Sequence, residues 1–249
     1  MLDRLKTILS NSLFDPDGGD PLVDIEGEGV PVRIIRNPRA RRISMRVDAV
    51  TREIRITMPT YAPTKLAMDF VAQKRTWIAV RLQNTPDAVM LSVGGEVAIE
   101  GAAHVICWQA DWPRKIHQHD GELRLGGPEA MVAPRILRWL KEEARRVYTT
   151  EIAYYCGVAG EDVPRLSLGD PRSRWGSCSS RGTISLSWRL IMAPPHVRRS
   201  VIAHEVAHIR HMDHSRDFYD WFETIFEGDR KSADRWLKMH GTGLQRVGR

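Results

Sequence analysis

Within eleven residues this chain places His204, Glu205, His208, His211 and His214, gathering four of its nine histidines at one point. Any fold for the chain must give that segment a structure in which the clustering has a use. Val201, Ile202, Val206 and Ile209 recur around the histidines at helical period, and Pro194-Pro195 stops the preceding strand and supplies a proline for the first turn of a helix. On that helix His204 and His208 are one turn apart and share a face. Two imidazoles so placed can bind one Zn2+ at about 2.0–2.1 Å per nitrogen, with Glu205 beside them, close enough to hold a water without ligating the metal. A catalytic zinc takes a third protein ligand and keeps one position open. His211 lies roughly 10 Å along the axis from His204, too far from a metal held between 204 and 208. His214 returns to the metal if the helix ends near His211–Met212 and the chain turns through Asp213, with Asp213 or Ser215 capping a following helix, RDFYDWFETIF. The expected ligand set is therefore His204, His208 and His214 around one zinc per chain, with His211 in a supporting or substrate-facing place.

A site of this kind needs a core to hold it, and 42% hydrophobic with 27% charged residues over a length of 249 is enough to build one. No apolar run approaches the ~20 residues that would span a bilayer. The opening MLDRLKTILSNSLF is a poor signal peptide, and three widely spaced cysteines without a CxxC pair make no disulfide framework. The expectation is a cytoplasmic protein with no membrane contact. Apolar spacing predicts a short helix over 2–13, followed by a Pro/Gly/Asp-rich lead-in. Alternation predicts strands in VPVRIIR and a hairpin from Ile43–Val47 to Glu53–Met58, and Pro63-Thr64 opens a helical stretch to Gln83. Short β-type pieces recur from Leu91 to Gly126, a helix runs from Ala133 to Gly157, and a hairpin turns at Ser179–Gly182. No fixed-period repeat is visible. The fold class expected is α+β, a β-rich first half and a helical second half with a small hairpin edge lining the cleft. The expected organisation is 1–22 as lead-in, 23–130 as the β-rich half and 131–249 as the catalytic half, with 23–249 one continuous unit.

The formal charge of +6 is unevenly spread, since Val32–Val47 carries six arginines and no acid. Arginine suits planar and phosphate contacts better than lysine does. Arg36, Arg39, Arg41 and Arg42 are accordingly candidates for a nucleic-acid or phosphate contact, against the plainer reading of one solvated face of a β-ribbon.

SRWGSCSSRGTISLSWRLIMAPPHVRRSVIAHEVAHIRHMDHSRDFYDWF resembles the signature of the YgjP-like metallopeptidases, small zincins related to the SprT-like proteases. Arg174 to Cys178, Trp188-Arg189-Leu190, Pro194, the H-E-x-x-H and His214-Ser215 match in order, and the likeness extends upstream through RNPRARRISMRV, Trp77-Ile78 and ILRWLKEEARRVY. Asp213 and Tyr219 stand where the family usually has Asn and Trp. The resemblance implies a zincin-type, minigluzincin-like core, His204, His208 and His214 as metal ligands, Glu205 as catalytic base and a peptide or protein substrate. Metzincins place their third ligand at the same offset but with Gly in place of His211. In gluzincins it is a later glutamate, which keeps Glu223 and Glu227 as alternatives. Arg174, Arg189, His211 and Tyr219 are the candidates for substrate or oxyanion contact. Trp175 and Trp188 are read as packing residues and Cys178 as a packed, inert thiol or a regulatory metal ligand. Two other functions use the same residues: a metal-dependent hydrolase of nucleoside triphosphates, and a nucleic-acid-associated module with structural zinc. The latter needs a fourth protein ligand.

Overall fold

The computed structural model describes residues 21–48, 51–83 and 89–248. The helix expected over 2–13 lies outside them. The chain divides into two compact units, 1–86 and 87–249. The seam placed at 130/131 from the sequence falls inside the second.

The first unit is a four-stranded sheet with two helices against one face. Its strands β1 (Leu22–Ile25), β2 (Glu28–Arg36), β3 (Ser44–Asp48) and β4 (Glu53–Met58) are ordered β1-β2-β4-β3, with β2 and β4 parallel. The hairpin expected from the alternation is β3–β4, paired antiparallel from Ser44↔Thr57 to Asp48↔Glu53. Helices α1 (Thr64–Gln73) and α2 (Arg75–Gln83) take up the helical stretch, which breaks at Lys74. Ala67, Val71, Ile78 and Leu82 from them pack in one core with Val30, Val32, Ile54, Ile56 and Met58. The pleat sends alternate residues to the other face, where Arg33, Arg55 and Arg46 stand in register across β2, β4 and β3.

The second unit repeats that sheet order. Strands β5 (Glu96–Ile99), β6 (Ala102–Trp108), β7 (His117–His119) and β8 (Glu122–Leu125) run β5-β6-β8-β7, again with the second and fourth parallel. The first turn of each sheet is a Glu-Gly pair with positive φ at both residues, 55° and 88° at Glu26-Gly27 and 52° and 84° at Glu100-Gly101. This is the two-residue turn whose twist matches antiparallel strands, and glycine takes the second position without strain. Helix α3 (Val132–Ala159) continues past Gly157 and stops at Gly160. Its buried stripe, Ile136, Leu140, Ala144, Tyr148 and Ile152, packs in one core with Ile106 and Leu123 of the sheet and with Val197, Ile202 and Val206 of α4 (Pro195–Arg210). A third sheet, β9 (Arg165–Gly169), β10 (Gly176–Ser179) and β11 (Thr183–Ser187), is ordered β10-β11-β9, so that β10 is an edge. Helices α5 (Arg216–Ile225) and α6 (Arg230–Arg246) complete the unit. The architecture is α+β, with sheets concentrated in the first half and helices in the second. No helix among the described residues is long and apolar enough to cross a membrane.

One buried ion pair fixes the position of α4. Arg198 meets Glu151 of α3 through two hydrogen bonds of 2.9 and 2.7 Å, with both side chains buried. The paired geometry satisfies charges that would otherwise be costly to bury, and it orients one helix on the other.

Candidate metal centre and cleft

Proline at the first position opens α4, and its apolar face, Ile202, Ala203, Val206 and Ala207, turns His204 and His208 toward α5. The helix stops at Arg210 because His211 adopts an extended conformation, φ −125° and ψ 104°. Asp213 then accepts the Ser215 N–H at 3.2 Å, and Ser215 caps α5 by accepting from Phe218 N–H at 3.4 Å. This turn carries His214 back. Its Nε2 lies 3.2 Å from His204 Nε2, which is itself 3.2 Å from His208 Nε2.

His208 Nδ1 stands 2.9 Å from the His211 carbonyl. A carbonyl only accepts, so that nitrogen carries the proton and Nε2 presents a lone pair toward the cluster. Burial, with the charges of His208, His214 and Arg230 adding to it, pushes His204 down to about 4, and burial lowers His208 also. Neutral imidazole is the ligand form. Converging nitrogen lone pairs repel unless a cation sits among them, and ligands at ~2.0–2.1 Å around a tetrahedral zinc would be about 3.3 Å apart. The spacing found therefore fits such an ion. All three ligand atoms lie within 4.8 Å of one another. Aromatic residues of α5 hold the rings. Phe218 stacks on His208 with centroids 4.5 Å apart, and Phe218 and Phe222 meet His204 edge to face at 4.9 and 5.6 Å.

Glu205 is buried beside the cluster, against edge strand β10. Gly176 allows this approach, since a Cβ there would lie 2.7 and 2.8 Å from Glu205 Cγ and Cδ. Burial raises the Glu205 carboxyl to about 7, opposed by Arg174 and by a hydrogen bond from the Cys178 backbone. Gly176, His204, Glu205 and His214 line a cleft of about 270 Å³ together with Trp175, Tyr219 and Arg230.

The other sequence-derived candidates divide. Tyr219 lines the cleft, and Arg174 acts on Glu205 through its charge. His211 contributes its carbonyl to His208 Nδ1. Arg189 is elsewhere: its guanidinium is buried, bonded to Asp170 at 2.6 and 3.2 Å and to the carbonyls of Leu244 and Val247 at 2.7 and 2.8 Å. It fastens the end of α6 and does not reach the cleft. Glu227 accepts from Tyr155 Oη at 3.0 Å, and neither it nor Glu223 joins the histidines. Trp175 lines the cleft and packs against Gly241 of α6, while Trp188 is buried. Cys178 is a half-buried thiol whose pKa is raised by burial and by Glu205, which favours its protonated form. In the first unit Arg36 is also structural, donating to the Thr60 and Ala62 carbonyls at 3.0 and 2.7 Å. Arg39, Arg41 and Arg42 lie in the connection between β2 and β3.

Sequence reasoning missed Arg230 and the role of Gly176. Arg230 opens α6 after the cap Asp229, lies with its Cζ 4.8 Å from the Tyr219 ring centroid, and has an ion pair with Asp234 at 3.7 Å. Its buried Nε has no hydrogen-bond partner. No spacing rule links position 230 to position 204. Only the unabsorbed Gly in Arg174-Trp175-Gly176-Ser177-Cys178 was a signal for the close approach.

No curated protein matches the chain. Among solved structures, the metallopeptidase zymogen abylysin of Pyrococcus abyssi is 22% identical, over 36% of this chain and 92% of that one, with a TM-score of 0.34. Residues 41–240 match the YgjP-like metallopeptidase domain. The chain thus belongs to the YgjP-like metallopeptidase family.

Proposed function

We propose that this metal-dependent peptidase uses zinc, bound by His204, His208 and His214, with Glu205 as the general base. The observation that carries the reading is the convergence of three imidazole Nε2 atoms, 3.2 Å from one to the next, beside a buried carboxylate held near pKa 7. A bound Zn2+ would supply Lewis acidity, lowering the pKa of water toward ~7 and polarising the scissile carbonyl. Glu205 takes the proton of the attacking water and delivers it to the leaving amine nitrogen, work suited to a carboxyl whose pKa lies near the working pH. The Cys178 backbone and Gly176 hold that carboxyl in place from one side. Edge strand β10 offers unpaired backbone groups along the same wall, a surface to which an extended peptide can add as a further strand. Every group in this account falls within 131–249.

Arg230 and Tyr219 are the donors we assign to the carbonyl oxygen as it becomes negative. Arg230→Ala is expected to lower kcat by roughly 10²–10³-fold with metal content unchanged, as loss of one preorganised oxyanion donor does elsewhere. Steady-state kinetics beside metal analysis checks this, and an unaltered kcat would leave the role to Tyr219 alone. The proposal as a whole is tested by peptide hydrolysis before and after chelation. Cleavage should disappear with the metal and return with zinc. Zinc-loaded protein that cleaves no member of a diverse peptide library would overturn it.

A further inference from the structure

A second cavity in the same unit, of about 350 Å³, shares no lining residue with the cleft. Arg138, Lys141, Glu142 and Arg145 of α3 line it from one element, and Asp170, just past the end of β9, and Trp188 line it from others. The three cations follow from helical spacing. With Ile136, Leu140 and Ala144 committed to the core, positions 138, 141 and 145 share an adjacent face over about 10 Å of axis.

None of these three cations has an ion-pair partner among the described residues, whereas the carboxylate opposite is already matched. Arg189 reaches Asp170 at 2.6 and 3.2 Å, compensating its charge from outside the cavity. Glu142 alone opposes them. Trp188 is 2% exposed, and its indole N–H has no acceptor. That ring is held by Lys141 Nζ, 5.8 Å from its centroid, and by Arg189 Cζ at 4.4 Å.

We infer that this cavity binds a phosphoryl group. A carboxylate is satisfied by a single arginine fork. Three separate cations match instead a tetrahedral group with three acceptor oxygens and a charge of about −1.5 to −2. The volume exceeds that of a bare phosphate and falls at the lower end of small-molecule sites, about 300–1,000 Å³, so a small phosphomonoester fits it. The Trp188 ring is buried beneath its cation contacts and leaves no open face on which a base could stack.

The test is a titration of the full chain with inorganic phosphate and, separately, with glycerol 3-phosphate, at ionic strength held constant with chloride. The readout is the assigned Trp188 indole 15N–1H resonance, one of eight tryptophans in the chain. The expected result is a saturable shift of that resonance, at least tenfold weaker in the double variant Arg138→Gln/Arg145→Gln and unchanged in His214→Ala. Tighter binding of the ester would assign the site to phosphomonoesters, and equal binding to free phosphate. A Trp188 signal that does not move, a shift equal in the double variant, or one lost in His214→Ala would each overturn the inference. The other indole resonances report whether the double variant is folded.

Discussion

Glu205→Gln is expected to retain its metal and to lose peptide hydrolysis by about 10²–10⁴-fold, the range supplied by a positioned general base. The substitution keeps the side chain's volume, which the contact with Gly176 requires. It removes the group that exchanges the proton, and a carboxyl raised to about 7 by burial is suited to that exchange near neutral pH. Glu205 stands outside the cluster of three histidine nitrogens, so zinc content should be untouched. Elemental analysis and peptide kinetics on the same preparation check both halves. Activity within a few-fold of wild type would remove Glu205 as the base, and loss of metal with activity would make it a ligand instead.

The second large effect is expected at His214. His214→Ala leaves two imidazoles one helical turn apart, and bound zinc should fall from about one per chain to a small fraction. Altering an outer partner of a metal ligand typically costs 10–100-fold in affinity, and removal of a ligand itself should exceed that. Because a ligand that binds only the folded state stabilises it, zinc should raise the melting temperature of wild type and not of the variant. Wild type that takes up no zinc after reloading would end the zinc proposal. Equal zinc in both proteins would transfer the third position to another group.

The residues whose partners are near in sequence were legible in advance. Proline at the start of α4, apolar residues at helical period and histidines four apart define a helix with two imidazoles on one face. The break at His211 and the Ser215 cap follow from short-range hydrogen bonding, and they place His214. The β3–β4 and β10–β11 hairpins were visible for the same reason, as alternation around a turn. Arg36 and Arg189 show where this reasoning stops. Both are arginines in a basic or motif-rich context, and both are occupied by backbone carbonyls whose positions depend on distant segments. The shared order of the two four-stranded sheets carries no periodic sequence signal, because a pleated strand asks only for alternation and many sequences supply it.

What this sequence determined by itself is the α+β class, the helix that bears His204, Glu205 and His208, and the turn that returns His214. Those features rest on interactions within a turn or two of the chain, which spacing and capping residues encode directly. Only tertiary packing decided that Gly176 lies against Glu205, that Arg230 enters the cleft and Arg189 does not, and that β5–β8 share a core with the helices that follow. Each of those is a meeting of faces from elements far apart in the chain, and the choice among alternative meetings is made by the summed burial and polar satisfaction of the whole unit, which no local pattern records.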